Sequence, residues 1–369
     1  MRILVAPDSF KGSLNALEAA RAIARGVARA RSDARIEIFP LSDGGEGFSR
    51  VLGGTHPAVR ASNVTGPMGA PVRAEWTLLD DGKTALIESA AAIGLDLVQE
   101  GDRKATETTT AGVGELIREA LDAGATRIVV GLGGTATTDG GAGMAQALGV
   151  VFDGAPVPLT GARLVDIRRV DASKLDARLA SAQLLAAIDV DNPLTGANGA
   201  APVYAPQKGA TEREVAELSA ALSHLARVAG DAGEAPGDGA AGGLGYGLRV
   251  FLGATKVSGL DYVLEHTGFE TALAHADLVL TGEGRLDAQT ARGKVVAGVC
   301  ARCSARGVPV IALVGAIAQG AESLYSGGLT AYFSLCNRPM SERQAVREAA
   351  ELLDHLAENV VRLWAGGRG

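Results

Sequence analysis

Two stretches of the chain, LSDGGEGF (41–48) and TTDGGAGM (137–144), place Asp-Gly-Gly-x-Gly just past an apolar, strand-like run. Each sets a carboxylate beside glycine backbone that can approach a ligand closely. A third stretch, IDVDNPLTG, ends an apolar run in Asp189-x-Asp191. Residues i and i+2 of a strand share a face, so both carboxylates can address one Mg2+ ion or one phosphoryl group. Oxygen ligands, glycine amides and lysines suit phosphoryl transfer, in which positioning and charge neutralisation dominate. Each feature also has a plain structural reading: glycine for a tight turn, Asp43 and Asp139 as helix caps, Asp191 and Asn192 as an Asx turn before Pro193.

Lysine usage points the same way. Only seven of the 35 Lys and Arg residues are lysine, and four of them stand in glycine-containing loops: Lys11 in DSFKGS, Lys208 in APQKGAT, Lys256 in GATKVSG and Lys294 in ARGKV. A compact ammonium beside backbone N–H donors is a reasonable phosphate ligand, and KGS at a helix start could bind an anion. The five histidines fall in predicted helices or linkers. A Ser-His-Asp triad or a His-metal site is therefore poorly supported, and a general base here is expected to be an aspartate.

The elements that position these residues alternate strand and helix. RILVAP, a loop, the amphipathic LNALEAARAIARGVARA with an Asn15/Glu18 capping box, and RIEIFPL open a doubly wound sheet. The pattern returns near the C-terminus as DLVLTGEG, VPVIALVGA and LTAYFSL, followed by a helix with a Ser341/Gln344 capping box. Five short strands divided between the two ends predict one discontinuous, flavodoxin-like α/β domain over 1–63 and 277–369, with an inserted α/β domain carrying a helical subregion over 64–276. Within the insertion, Asp81-Gly82 predicts a hairpin, and Thr211/Glu214 a capping box on a long helix. Ligands gather at the carboxyl ends of strands in such sheets. There stand Asp8, Ser9, Lys11 and Ser13; Ser42, Asp43 and Glu46; Thr135, Thr137, Thr138 and Asp139; Asp189, Asp191 and Asn192; and Glu283, Arg285 and Asp287.

Composition narrows the classes. At 369 residues the chain exceeds the usual span of one core, which favours two domains. A net charge of -7, with no basic stripe interleaved with aromatics, argues against nucleic acid. No window carries the run of apolar residues that a membrane helix or signal-peptide core needs, so a cytoplasmic protein is expected. The Cys300-x-x-Cys303 pair lies well inside a predicted helix, where ordinary packing is the expected role, and three cysteines make no disulfide framework. The P-loop pattern is absent, and GLGGTATTDGGAG lacks the acidic residue that follows a dinucleotide fingerprint.

The segments APDSFKGSL, PLSDGGEGF, GLGGTATTDGGAGMAQALG, DVDNPLTGANGA, YAPQKGAT, GAAGGLGYGL and TGEGRLDAQTARGK stand in one order from Ala6 to Lys294, and together the chain resembles the class I glycerate kinases. The resemblance implies ATP-dependent, Mg2+-assisted phosphorylation of D-glycerate, with 2-phosphoglycerate favoured. It also implies a flavodoxin-like domain interrupted by one resembling a restriction-endonuclease fold. On that footing Asp189 is expected to orient or deprotonate the glycerate hydroxyl, and Asp191 with Asp43 to hold Mg2+ directly or through water. Lys11 and Lys208 would neutralise the transferring phosphoryl group. Ser9, Ser13 and Thr135 would add donors, Asp139, Asn192 and Glu283 would line the substrate and phosphate site, and Arg285 would grip the glycerate carboxylate. Closure of an interdomain cleft would exclude water, with hinges near Val64 to Pro71 and before Asp277. Two other classes remain: a phosphatase with Asp189 as covalent nucleophile, for which no convincing downstream acidic pair is found, and a silent sensor of small acids, which would not need the metal carboxylates. The sequence leaves a homo-oligomer open.

Overall fold

A computed structural model describes residues 1–53, 58–287, 290 and 295–367. Lys294 lies outside them. The chain is a mixed α/β structure that divides into two compact units, one formed by Met1–Asp43 with Leu260–Gly369 and the other by Gly44–Gly259.

The first unit is built on five parallel strands: Arg2–Pro7, Arg35–Ile38, Leu278–Gly282, Val310–Val314 and Ala331–Ser334. Counted along the chain, their spatial order is 2-1-3-4-5. All five are the apolar runs expected from the sequence. Their middle members are buried over almost their whole length, as parallel strands covered on both faces must be. The helices Ala16–Ala30 and Glu342–Gly366 both open with the expected capping boxes. They pack closely because Gly26 has no side chain; a Cβ there would overlap the Asp354 carbonyl. Arg29 pairs with Asp354 and Glu358 across the same contact.

The second unit carries a six-stranded sheet. Thr84–Glu88, Arg127–Gly131, Gln183–Ala187 and Thr255–Val257 run parallel, and the antiparallel strands Pro71–Leu78 and Ala58–Thr65 extend it to one edge. Asp81 closes the expected hairpin by accepting from the N–H groups of Lys83 and Thr84 and from the Thr84 hydroxyl. Its apolar core runs from Val64 to Ala254, and the helix Glu212–Ala229 opens with the Thr211/Glu214 box.

The unit boundaries differ from those read off the sequence. The first crossing falls at Asp43/Gly44, inside the first DGG motif, and the second at Gly259/Leu260. Val64 to Pro71, expected as a hinge, is the turn of the hairpin between Ala58–Thr65 and Pro71–Leu78. The strand Ala58–Thr65 is mostly exposed, so it shows no apolar alternation from which to read it. Among the described residues no helix is long and apolar enough to cross a membrane.

Candidate functional site

In the first unit acidic side chains stand where the strand order reverses, between Arg2–Pro7 and Leu278–Gly282. Asp8 follows the first of these strands and Glu283 the second, and the Asp8 N–H donates to the Gly282 carbonyl at 2.8 Å. Burial holds the Asp8 carboxyl well above its usual range; the negative charges of Asp43 and Glu283 push in the same direction, against the 2.6 Å hydrogen bond from the Ser9 N–H. Glu283 is itself buried and accepts from the Thr290 hydroxyl at 2.6 Å. Asp8 stood among the strand-end residues in the sequence, but only the packing of three carboxylates into one field singles it out.

The DSFKGS segment is a tight turn. Phe10 and Leu14 bridge, the Ser13 hydroxyl donates to the Phe10 carbonyl at 2.9 Å, and Gly12 takes the left-handed conformation. Lys11 projects from the tip into solvent and Ser9 is half-buried. At the start of the following helix Asn15 accepts from the Glu18 N–H and Glu18 accepts from the Asn15 N–H, satisfying two of its terminal donors internally. Arg285 is 70% exposed and 3.8 Å from Asp287, a loosely held guanidinium.

In the second unit, Asp189 and Gly259 follow adjacent parallel strands, and the Gly259 N–H donates to Asp189 Oδ1 at 3.1 Å. Asp191 is exposed and paired with Lys256 at 2.7 Å. That accounts for one glycine-loop lysine, expected to meet phosphate, by a carboxylate of the protein itself. Asn192 is tied into its own loop, donating to the Asn198 carbonyl at 2.8 Å and accepting from the Tyr204 hydroxyl at 2.7 Å. Its amide therefore supports the loop geometry.

The loop after Arg127–Gly131 carries Thr135 and Asp139, both buried. Asp139 caps its surroundings from inside: it accepts from the Thr110 N–H at 2.7 Å, the Thr110 hydroxyl at 2.8 Å, the Gly141 N–H at 3.1 Å and the Gly143 N–H at 3.2 Å. Burial raises its carboxyl and these four bonds pull it back. Thr110 was not singled out from the sequence; the TTT run before an apolar helix was the available signal. Lys208, expected to neutralise the transferring phosphoryl group, is 2% exposed, with its amine donating to the Thr137 carbonyl at 2.5 Å.

Close backbone packing of the protein on itself involves Gly44 and Gly45 of the first DGGxG loop and Gly141 of the second. A Cβ at Gly131 would overlap the Gly44 carbonyl, one at Gly133 would lie 2.9 Å from Gly45 Cα, and one at Gly141 would lie 2.8 Å from Gly247 Cα. Both cysteines of the CxxC are buried in the helix Val295–Ala305, with thiols pushed up to about 12 by burial. That is the expected packing role.

Among the described residues no three His, Cys, Asp or Glu side chains are placed together to hold a metal ion. Mg2+ takes oxygen ligands and keeps several waters, so a single exposed carboxylate such as Asp191 offers it a suitable donor.

Comparison with known proteins gives the family. A family model described as the glycerate kinase family matches residues 3–365. A Halalkalibacterium halodurans protein named glycerate kinase is 44% identical over 97% of this chain and 97% of its own length. The Escherichia coli protein named glycerate 2-kinase is 41% identical over 100% of this chain and 99% of its own. A crystal structure of a Salmonella typhimurium protein, provisionally assigned as glycerate kinase 2, superposes with a TM-score of 0.84 at 42% identity, covering 100% of this chain and 99% of that one. With the family matched from the first strand to the last helix, the chain belongs to the glycerate kinase family.

Proposed function

We propose that the protein transfers the γ-phosphoryl group of ATP to D-glycerate in the cytoplasm, with Mg2+ bound to the nucleotide, and that 2-phosphoglycerate is the product. The observation that carries this reading is similarity over essentially the whole chain to relatives named glycerate kinase, at 40 to 44% identity. The name of the Escherichia coli relative supports attack by the 2-hydroxyl. The 2-1-3-4-5 strand order supports a flavodoxin-like first unit. The restriction-endonuclease-like description of the second unit rests on the sequence resemblance.

The roles proposed for individual residues are those that the motif resemblance implies. Asp189, with one oxygen fixed by the Gly259 N–H, orients or deprotonates the glycerate hydroxyl. Asp191 and Asp43 are the carboxylates that would hold Mg2+, directly or through water, and the ion would supply charge neutralisation to the phosphates. Exposed Lys11, flanked by Ser9 and Ser13, meets the phosphoryl oxygens, and Arg285 grips the carboxylate of glycerate. Thr135 adds a donor, and Glu283 lies beside Asp8 at the strand reversal.

The test is purified protein with D-glycerate, ATP and Mg2+, following ADP release and resolving the product by phosphorus NMR. A 2-phosphoglycerate signal is expected. A 3-phosphoglycerate signal would overturn the choice of hydroxyl, and folded protein giving no phosphoester would overturn the kinase reading. Phosphate released from phosphoesters without ATP would favour the phosphatase, and glycerate bound without turnover the sensor.

A further inference from the structure

We propose that Lys208 is a positioning residue, whose amine holds the Thr135–Asp139 turn through the Thr137 carbonyl and does not touch the transferring phosphoryl group. Lysine ordinarily keeps its head in water along a buried stem, so a 2% exposed ammonium has been taken out of solvent at a cost. Here the amine donates to a backbone carbonyl 71 positions away in sequence, at 2.5 Å.

The surroundings are built around this contact. Lys208 ends the helical turn Pro206–Lys208, and the following Gly209 is left-handed, packed where a Cβ would meet Arg103. On the opposite side, Ala241, Gly242 and Gly243 are three successive left-handed residues, and Ala241 is the one non-glycine residue of positive φ among those described. Alanine is disfavoured in this conformation by the clash of its Cβ with backbone, so surrounding contacts must hold it there. What the distortion permits is close approach: a Cβ at Gly242 would overlap the Thr137 carbonyl and lie 2.9 Å from the Lys208 amine. Among the described residues the buried hydroxyls of Thr137 and Thr138 make no hydrogen bond, while the Thr137 carbonyl accepts from the Lys208 amine. Two residues on, Asp139 takes its four hydrogen bonds from Thr110, Gly141 and Gly143. Burial lowers the Lys208 amine to about 7, with the Asp139 charge opposing the shift, so the charge it senses is internal.

The kinetic arm of the test rests on the kinase reading; the structural arm does not. Lys208→Met, close in volume, removes the donor, and Lys208→Gln restores an N–H. Hydrogen exchange of residues 133–143 is measured first and needs no activity. About tenfold faster exchange there in Lys208→Met, with the rest of the protein unchanged and partial restoration in Lys208→Gln, is expected. Unchanged exchange in a folded Lys208→Met protein overturns the proposal, and so does failure of both variants to fold, which would make Lys208 a residue of the whole core. In steady state, loss of positioning is expected to raise the KM for glycerate about tenfold with kcat lowered less than about threefold. A fall in kcat of a hundredfold or more at unchanged KM is the signature of lost transition-state neutralisation, and would return Lys208 to the phosphoryl group. Wild-type protein without glycerate turnover would sink the kinase reading and leave the exchange result to decide Lys208.

Discussion

Lys256 Nζ lies 2.7 Å from Asp191 Oδ1, so the carboxylate assigned to Mg2+ is already shared with a cation of the protein. The pair is exposed, with 85% of the Asp191 side chain accessible, and an ion pair in that setting contributes about 0–1 kcal/mol to stability. Lys256→Met is therefore expected to leave the urea midpoint nearly unchanged while lowering the Mg2+ concentration for half-maximal activity several-fold. If Mg2+ dependence is unmoved in both Lys256→Met and Asp191→Asn, Asp191 does not serve the metal.

Asp189 offers a sharper kinetic test. General base catalysis contributes roughly 10²–10⁴-fold, and Asn keeps the size of the side chain and an oxygen for the Gly259 N–H. Asp189→Asn should lose that factor in kcat with unchanged thermal unfolding. Wild-type turnover in the variant would remove the assignment.

Lys208 makes stability depend on pH. Its folded pKa, about 7, lies below the ordinary 10.5, so between these values the unfolded chain binds more protons than the folded one. Stability from this group is then present above about 10.5, falls as pH drops toward about 7, and is constant below. Lys208→Met should flatten the unfolding free energy between pH 7.5 and 9.5 relative to wild type, as followed by urea titration. Parallel pH curves for the two proteins would mean that the amine titrates normally.

The glycine contacts predict a structural cost without a ligand. Gly131→Ala drives a Cβ into the Gly44 carbonyl and against Phe48, and backbone cannot swing aside as a flexible side chain can. Overpacking of this kind costs about 1–3 kcal/mol, to be read from the urea midpoint. Gly124→Ala has open space but a left-handed backbone, so it should cost less, about 1 kcal/mol.

Thiol chemistry should distinguish the cysteines. Cys336 is exposed, whereas Cys300 and Cys303 are buried with thiols held near 12. An aromatic disulfide reagent is expected to titrate one thiol per native chain and three in denaturant. Rapid reaction of all three without unfolding would show that the helix Val295–Ala305 opens.

The amino-acid sequence by itself determined what is local. The five strands of the first sheet, the three capping boxes, the Asp81-Gly82 hairpin and the burial of the CxxC all follow from apolar runs, cap residues and turn chemistry acting within a few residues. Its ordered motifs also sufficed for the family. Only the tertiary structure decided which polar groups are already satisfied by the protein itself. Lys256 and Lys208 stand in similar glycine loops, yet one meets Asp191 at the surface and the other is sunk onto Thr137. Asp8 and Asp139 are both raised by burial, but Asp8 is pushed further by two carboxylates while Asp139 is drawn back by four donors. The crossing at Asp43/Gly44 was hidden for a related reason: the exposed strand Ala58–Thr65 has no apolar alternation, and it belongs to the second unit through hydrogen bonds to Pro71–Leu78. Partners distant in sequence set desolvation, charge and pairing, and no window of neighbouring residues contains them.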